Sequence, residues 1–198
     1  LEDRMLLAAA VSDLTTLTAT QLVNSLLGAG VTASNIVYTG DNRGAGGFTG
    51  FQDPGTDQGI GVPSGVILAS GQVTDAIGPN SSDSTSTSFG TPADIQLNAI
   101  VAPLTTRDAA ILEFDFVPAG NTVSFSYVFA SEEYTEFEGS SFNDVFAFFV
   151  DNLNVALIPG TATPVSINTV NSTTNAQFFR NNDRTFGVPT PFTIEYDG

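Results

Sequence analysis

Residues 122–151 read TVSFSYVFASEEYTEFEGSSFNDVFAFFVD, a pattern of two strands flanking an acidic insert. From 122 to 131 apolar and small polar residues alternate, which puts Phe125, Tyr127 and Phe129 on one face because successive strand side chains point to opposite sides. From 144 to 151 both faces are apolar: Val145, Ala147 and Phe149 on one, Phe146, Phe148 and Val150 on the other. A strand apolar on both sides is expected at the centre of a packed β-structure. Upstream, residues 109–117 alternate as cleanly, with Leu112, Phe114 and Phe116 opposite Glu113 and Asp115. Shorter strands are expected at 36–38, 66–68, 155–158, 165–170, 176–179 and 192–196, divided by Gly, Pro, Asn and Asp. Residues 40–63 read as a glycine-rich loop and 78–94 as a long polar one.

One helix stands apart from this pattern. Thr18 followed by Gln21 makes a capping box, Leu22, Val23, Leu26 and Leu27 form an apolar stripe, and Gly28 and Gly30 stop it. The fold expected is mainly β: a β-sandwich with jelly-roll-like connections and one short N-terminal helix. Residues 1–13 read as an arm and 14–198 as a single domain.

Composition narrows the chemistry. The 198 residues carry 21 acidic side chains against five basic ones, all arginine, for a net charge of −16. Such a charge repels nucleic acid and anionic membrane surfaces. No His, Cys or Lys is present, which excludes imidazole triads, thiol nucleophiles, thiolate clusters and Schiff-base chemistry within the chain. The apolar run Met5–Val11 is too short to span a bilayer. Ala8-Ala9-Ala10 has the look of a leader cleavage region, but the acidic Leu1-Glu2-Asp3-Arg4 before it argues against a signal peptide. Gly44–Gly50 lacks the lysine and βαβ setting of a phosphate loop. Asn80-Ser81-Ser82 and Asn171-Ser172-Thr173 match the glycosylation pattern.

The acidic insert is the candidate site. Four of the seven residues 132–138 are Glu, in a chain poor in charge. On an extended backbone Glu132 and Glu133 point to opposite faces, so one can turn inward among the aromatics. A carboxylate there must be protonated, paired or metal-bound. No cationic residue stands near in sequence, so Glu132, Glu133 and Asp144 are the first metal candidates, with Asp41, Asp53, Asp57 and Asp151 behind them. Oxygen-only ligands favour Ca²⁺. An ordinary solvated loop is the competing reading.

The motif Val128-Phe129-Ala130-Ser131-Glu132-Glu133-Tyr134, followed by Ser141-Phe142-Asn143-Asp144-Val145-Phe146-Ala147-Phe148-Phe149, resembles the signature of the choice-of-anchor L family. The likeness extends to Ser64-Gly65-Val66-Ile67-Leu68, Gly78-Pro79-Asn80, Leu112-Glu113-Phe114-Asp115-Phe116 and Asn168-Thr169-Val170-Asn171. It implies an extracellular β domain of a bacterial cell-surface protein, and it supplies no catalytic residue. The resemblance also implies further strands after Tyr196-Asp197-Gly198, expected either beyond the given residues or from a neighbour. Leu1-Glu2-Asp3-Arg4-Met5-Leu6-Leu7 more distantly resembles a Leu-Glu-Pro-Arg-x-Leu-Leu motif near the N-termini of very large bacterial surface proteins, with Asp3 in place of Pro.

These readings lead to a non-enzymatic, calcium-stabilised binding or adhesion module with a protein or peptide ligand. Two alternatives stay open. One is an extracellular fibre subunit joined to neighbouring copies by strand exchange, with Met5, Leu6, Leu7 and Val11 as the assembly arm. The other is a glycosidase, in which Glu133 and Asp144 would have to meet.

Overall fold

The computed structural model describes residues 9–51, 59–184 and 192–198. It is mainly β, with strands in several small antiparallel sheets and two short helices. Strand β1 (Ala10–Asp13) begins the chain's first sheet. Helix α1 (Ala19–Leu26) follows, its N-terminus closed by the expected reciprocal bonds between Thr18 and Gln21. It buries Leu22 and Val23, while Leu26 stays half exposed. Next come β2 (Thr32–Thr39), β3 (Ala45–Thr49) and β4 (Ser64–Leu68). β1, β3 and β4 form the three-stranded sheet, with Val11 opposite Phe48 and Gly47 opposite Val66.

Two features of this sheet differ from the expected pattern. The last four residues of the expected arm are a strand paired within the chain, so Val11 lies in β1 against β3. Met5, Leu6 and Leu7 lie outside the described residues. The central strand, β3, falls in the stretch read as a glycine-rich loop. Glycine is a poor strand former, yet here it is required. A Cβ on Gly46 would sit 2.4 Å from the Ser12 carbonyl oxygen, so only glycine lets β1 approach.

Helix α2 (Ile95–Val101) is capped by the Asp94 carboxylate, which accepts from Leu97 N at 2.8 Å. No periodic stripe announces it. β5 (Ile111–Val117) pairs with β2 and keeps the expected alternation: Leu112, Phe114 and Phe116 half buried, Glu113 and Asp115 exposed. A bulge in β2 between Ser34 and Val37 places Asn35 at φ 53°, and its amide donates to Asp115.

The stretch expected to hold the strongest strands is more broken. Residues 122–131 join no ladder among the described residues. They lie beside the following segment through ring contacts, Phe125 at 4.1 Å from Phe148 and Tyr127 at 4.8 Å from Phe146. Alternation reports which faces are apolar; it does not report whether the backbones pair. The 144–151 stretch divides into β6 (Val145–Phe146) and β7 (Phe149–Val150). β7 turns through Asp151 and Asn152, both at positive φ, into β8 (Leu153–Asn154), the geometry of a tight two-residue hairpin. β6 pairs with β9 (Val165–Ser166). Residues 176–179 hold a 3-10 turn, Ala176–Phe178, and 155–158 and 192–196 contribute only the single bridges Leu157–Pro164 and Ile77–Ile194.

The bridge at Ile194 positions the site. A Cβ on Gly78 would fall 2.5 Å from the Ile194 carbonyl carbon, so this glycine lets the polar loop after it lie against the C-terminal segment. Phe48, Phe51, Ala76 and Ile194 form the apolar cluster beneath, with Phe192 and Tyr196 packed on it.

Candidate metal centre

The polar loop 80–85 wraps the C-terminal segment through its own donors. The Asn80 amide donates to Asp197 Oδ1 at 2.6 Å and to the Asn182 carbonyl at 3.0 Å. Ser81 donates twice to Glu195, from its backbone N and its hydroxyl, each at 3.0 Å, and Thr85 Oγ1 donates to Glu195 at 2.9 Å. Thr85 N donates to Glu132 Oε1 at 2.7 Å, which draws the start of the acidic insert into the same place. Asn182 fixes the far side. Its N donates to the Asp197 carbonyl, and its amide donates to the Ile194 and Tyr196 carbonyls.

Asp83, Asp183 and Asp197 meet here. One carboxylate oxygen from each lies within 4.8 Å of the other two. Asp183 is 1% exposed and Asp197 fully buried. Asp83, at the rim, also receives Arg184 Nε at 3.0 Å. Three oxygens in this neighbourhood are buried with no hydrogen-bond partner: Asp197 Oδ2, Asn80 Oδ1 and Glu132 Oε2. The orientation of the Asn80 amide follows from its two acceptors, which require the nitrogen on their side.

Electrostatics agrees with the geometry. Burial raises the Glu132 carboxyl to about 7, against the bond from Thr85, with Asp197 and Glu195 adding to the rise. Burial likewise raises Asp197 to about 6, against the bond from Asn80, with Asp183 and Asp83 among the charges contributing. A buried anion without enough donors resists ionisation, and a cation would reverse both shifts.

The structure divides the sequence candidates. Glu132 lies beside the centre, tied to the polar loop by the Thr85 N bond. Glu132 and Glu133 lie in a turn rather than on the expected extended backbone, so strand alternation does not set their directions. Glu133 is half buried and is raised by burial and by the charges of Asp144 and Glu136. Asp144 accepts from Ser131 Oγ at 2.7 Å. Asp41 is answered by Arg43, whose Nε and Nη2 both donate to it at 2.8 Å, and is lowered to about 2 by those bonds. Asp151 is an exposed turn residue. Asp53 and Asp57 lie outside the described residues. The three aspartates of the centre were not among the candidates. Their signal was oxygen-rich company, Asn80-Ser81-Ser82-Asp83, Asn181-Asn182-Asp183 and Tyr196-Asp197-Gly198, in segments too far apart in sequence to read as one site. Both glycosylation patterns fall on buried, hydrogen-bonded asparagines: Asn80 is 7% and Asn171 3% exposed. Two surface clefts, one bordered by Leu104, Asn143 and Asn168 and one by Thr39, Thr91 and Ile111, have no carboxylate in their walls. No helix among the described residues is long and apolar enough to cross a membrane.

Comparison with known proteins adds one finding. The family model described as the choice-of-anchor L domain matches residues 10–198, from the first residue of β1 to the last of the chain. No curated protein and no solved structure matches.

Proposed function

The chain belongs to the choice-of-anchor L family, whose domains mark bacterial surface-associated proteins, and on that premise we propose that it is a non-catalytic, extracellular binding module held in shape by Ca²⁺. The observation that carries this reading is the meeting of Asp83, Asp183 and Asp197 beside unpartnered Asp197 Oδ2 and Asn80 Oδ1. Every group there offers oxygen, and the chain has no His or Cys. Hard cations take such ligands, and Ca²⁺ accepts an irregular oxygen set where Mg²⁺ demands a near-ideal octahedron.

Calcium would act here as a cross-link. Its ligands come from residues 80–83, 132, 183 and 197, segments joined by few ladder bonds, so one ion would tie the polar loop and the acidic insert to the C-terminal segment. Asp83, Asp183 and Asp197 would hold it, with Asn80 and Glu132 completing the oxygen set. The role is structural; recognition is left to the surface the ion steadies.

Thermal melting with calcium and with EDTA tests it. At a hundredfold excess over Kd, a ligand bound only to the folded state contributes about 2.7 kcal/mol, or about 5–10 °C for a domain of this size. Coincident melts would overturn the reading.

A further inference from the structure

The geometry points to the acidic insert, residues 131–144, as a docking surface for an arginine-bearing segment of another protein. The proposal rests on the reading of the chain as a binding module and asks no contact of the metal.

The insert is held in one shape. Its ends are joined by the Ser131 Oγ to Asp144 bond. Tyr134, 2% exposed, donates its hydroxyl to the Val170 carbonyl at 2.6 Å. Asn168 grips the tip twice, accepting from Gly139 N at 2.6 Å and donating to the Ser140 carbonyl at 2.9 Å. Glu138 accepts from the backbone N and hydroxyl of Ser172 at 3.1 and 2.5 Å. A loop fixed this firmly still presents two phenyl rings to solvent: Phe137 is 42% and Phe142 57% exposed, with centroids 5.0 Å apart. Rings held out by an ordered loop lose little entropy when a partner covers them.

The charges carried on the same insert choose the partner. Glu136 is exposed, and Glu133 and Asp144 are half buried. Among the described residues both carboxylate–arginine ion pairs lie elsewhere, Arg43–Asp41 and Arg184–Asp83. The first of these displays the arrangement the insert invites. Arg43 lies 4.7 Å over the Phe89 ring while donating twice to Asp41. A planar guanidinium satisfies ring and carboxylate together, which an ammonium does less well. The insert offers ring and carboxylates without a guanidinium of its own.

The test is an NMR titration of the whole chain, with calcium present throughout, using blocked tetra-arginine and tetra-lysine peptides. Expected are shifts confined to residues 131–144, tetra-lysine binding about tenfold more weakly, and a loss of about tenfold in tetra-arginine affinity in Phe137→Ala/Phe142→Ala. Glu113→Gln, on the exposed face of β5, should bind as the parent does. Equal affinity for both peptides, or equal weakening by Glu113→Gln, would reduce the effect to net charge and overturn the proposal. So would a dimer in sedimentation that Phe142→Ala dissolves, since the face would then cover itself. Peptide binding that survives beside a calcium-independent melt would sink the metal reading alone. A calcium-dependent melt without peptide binding would sink this one alone.

Discussion

Asp108 and Asp197 are both buried carboxylates, 8% and 0% exposed, and they sit in opposite surroundings. Asp108 accepts four bonds, from Thr91 N at 2.5 Å, Thr91 Oγ1 at 3.0 Å, Ser88 Oγ at 3.1 Å and Phe89 N at 3.3 Å. Burial pushes its carboxyl up, and those donors more than offset it, leaving it below the usual range. Asp197 has Asn80 on one oxygen, no partner on the other, and Asp83 and Asp183 within reach. The same long polar loop supplies donors to both. Its far half closes the Asp108 cradle with protein groups, while its near half, residues 80–85, brings more oxygen to Asp197. Donor count, not burial, separates a satisfied carboxylate from an under-satisfied one.

The largest expected effect removes the cation's best ligand. Asp197→Asn should abolish the calcium-dependent gain of about 5–10 °C and, by deleting a poorly solvated charge, leave the EDTA melt unchanged or higher. Asp108→Asn should do the reverse. It should lower the melt by about 2 kcal/mol, equally in calcium and EDTA, because four donors lose their anion.

Acid sharpens the contrast through opposite signs. In EDTA, Glu132 and Asp197 have folded values raised to about 7 and about 6, above unfolded carboxyls near 4. The metal-free protein should therefore gain stability as pH falls through that window. Asp108 has a lowered folded value, so its contribution is present above the unfolded value and is lost only as pH falls through the folded one. Melting curves in EDTA from about pH 8 to about pH 3 should rise and then fall. A fall from the outset would contradict the assignment of the crowded carboxylates. Smallest of all, Thr18→Ala, which removes the α1 cap, should cost about 1 kcal/mol with or without calcium, a control for effects unrelated to either carboxylate.

Periodic features were legible in the sequence. The capping box of α1, the alternation of β5 and the apolar faces around Phe146 and Phe148 all follow from local rules. β3 was not, because Gly46 and Gly47 hide a strand whose need is close approach rather than propensity. A crowded acidic region was legible in kind: many carboxylates amid aromatic residues, with few cations. That crowding pointed to Glu132, which the structure ties to the polar loop through Thr85, and it missed Asp83, Asp183 and Asp197, which come together through the Ile77–Ile194 bridge and the Asn182 bonds. No spacing encodes such long-range contacts.

Calcium titrated calorimetrically into EDTA-stripped protein near neutral pH tests the centre most directly. The account predicts saturable uptake of about one ion per chain, with proton release as Glu132 and Asp197 ionise, and no uptake at that site in Asp197→Asn. Uptake left intact in Asp197→Asn, or no uptake by the parent chain, would contradict it.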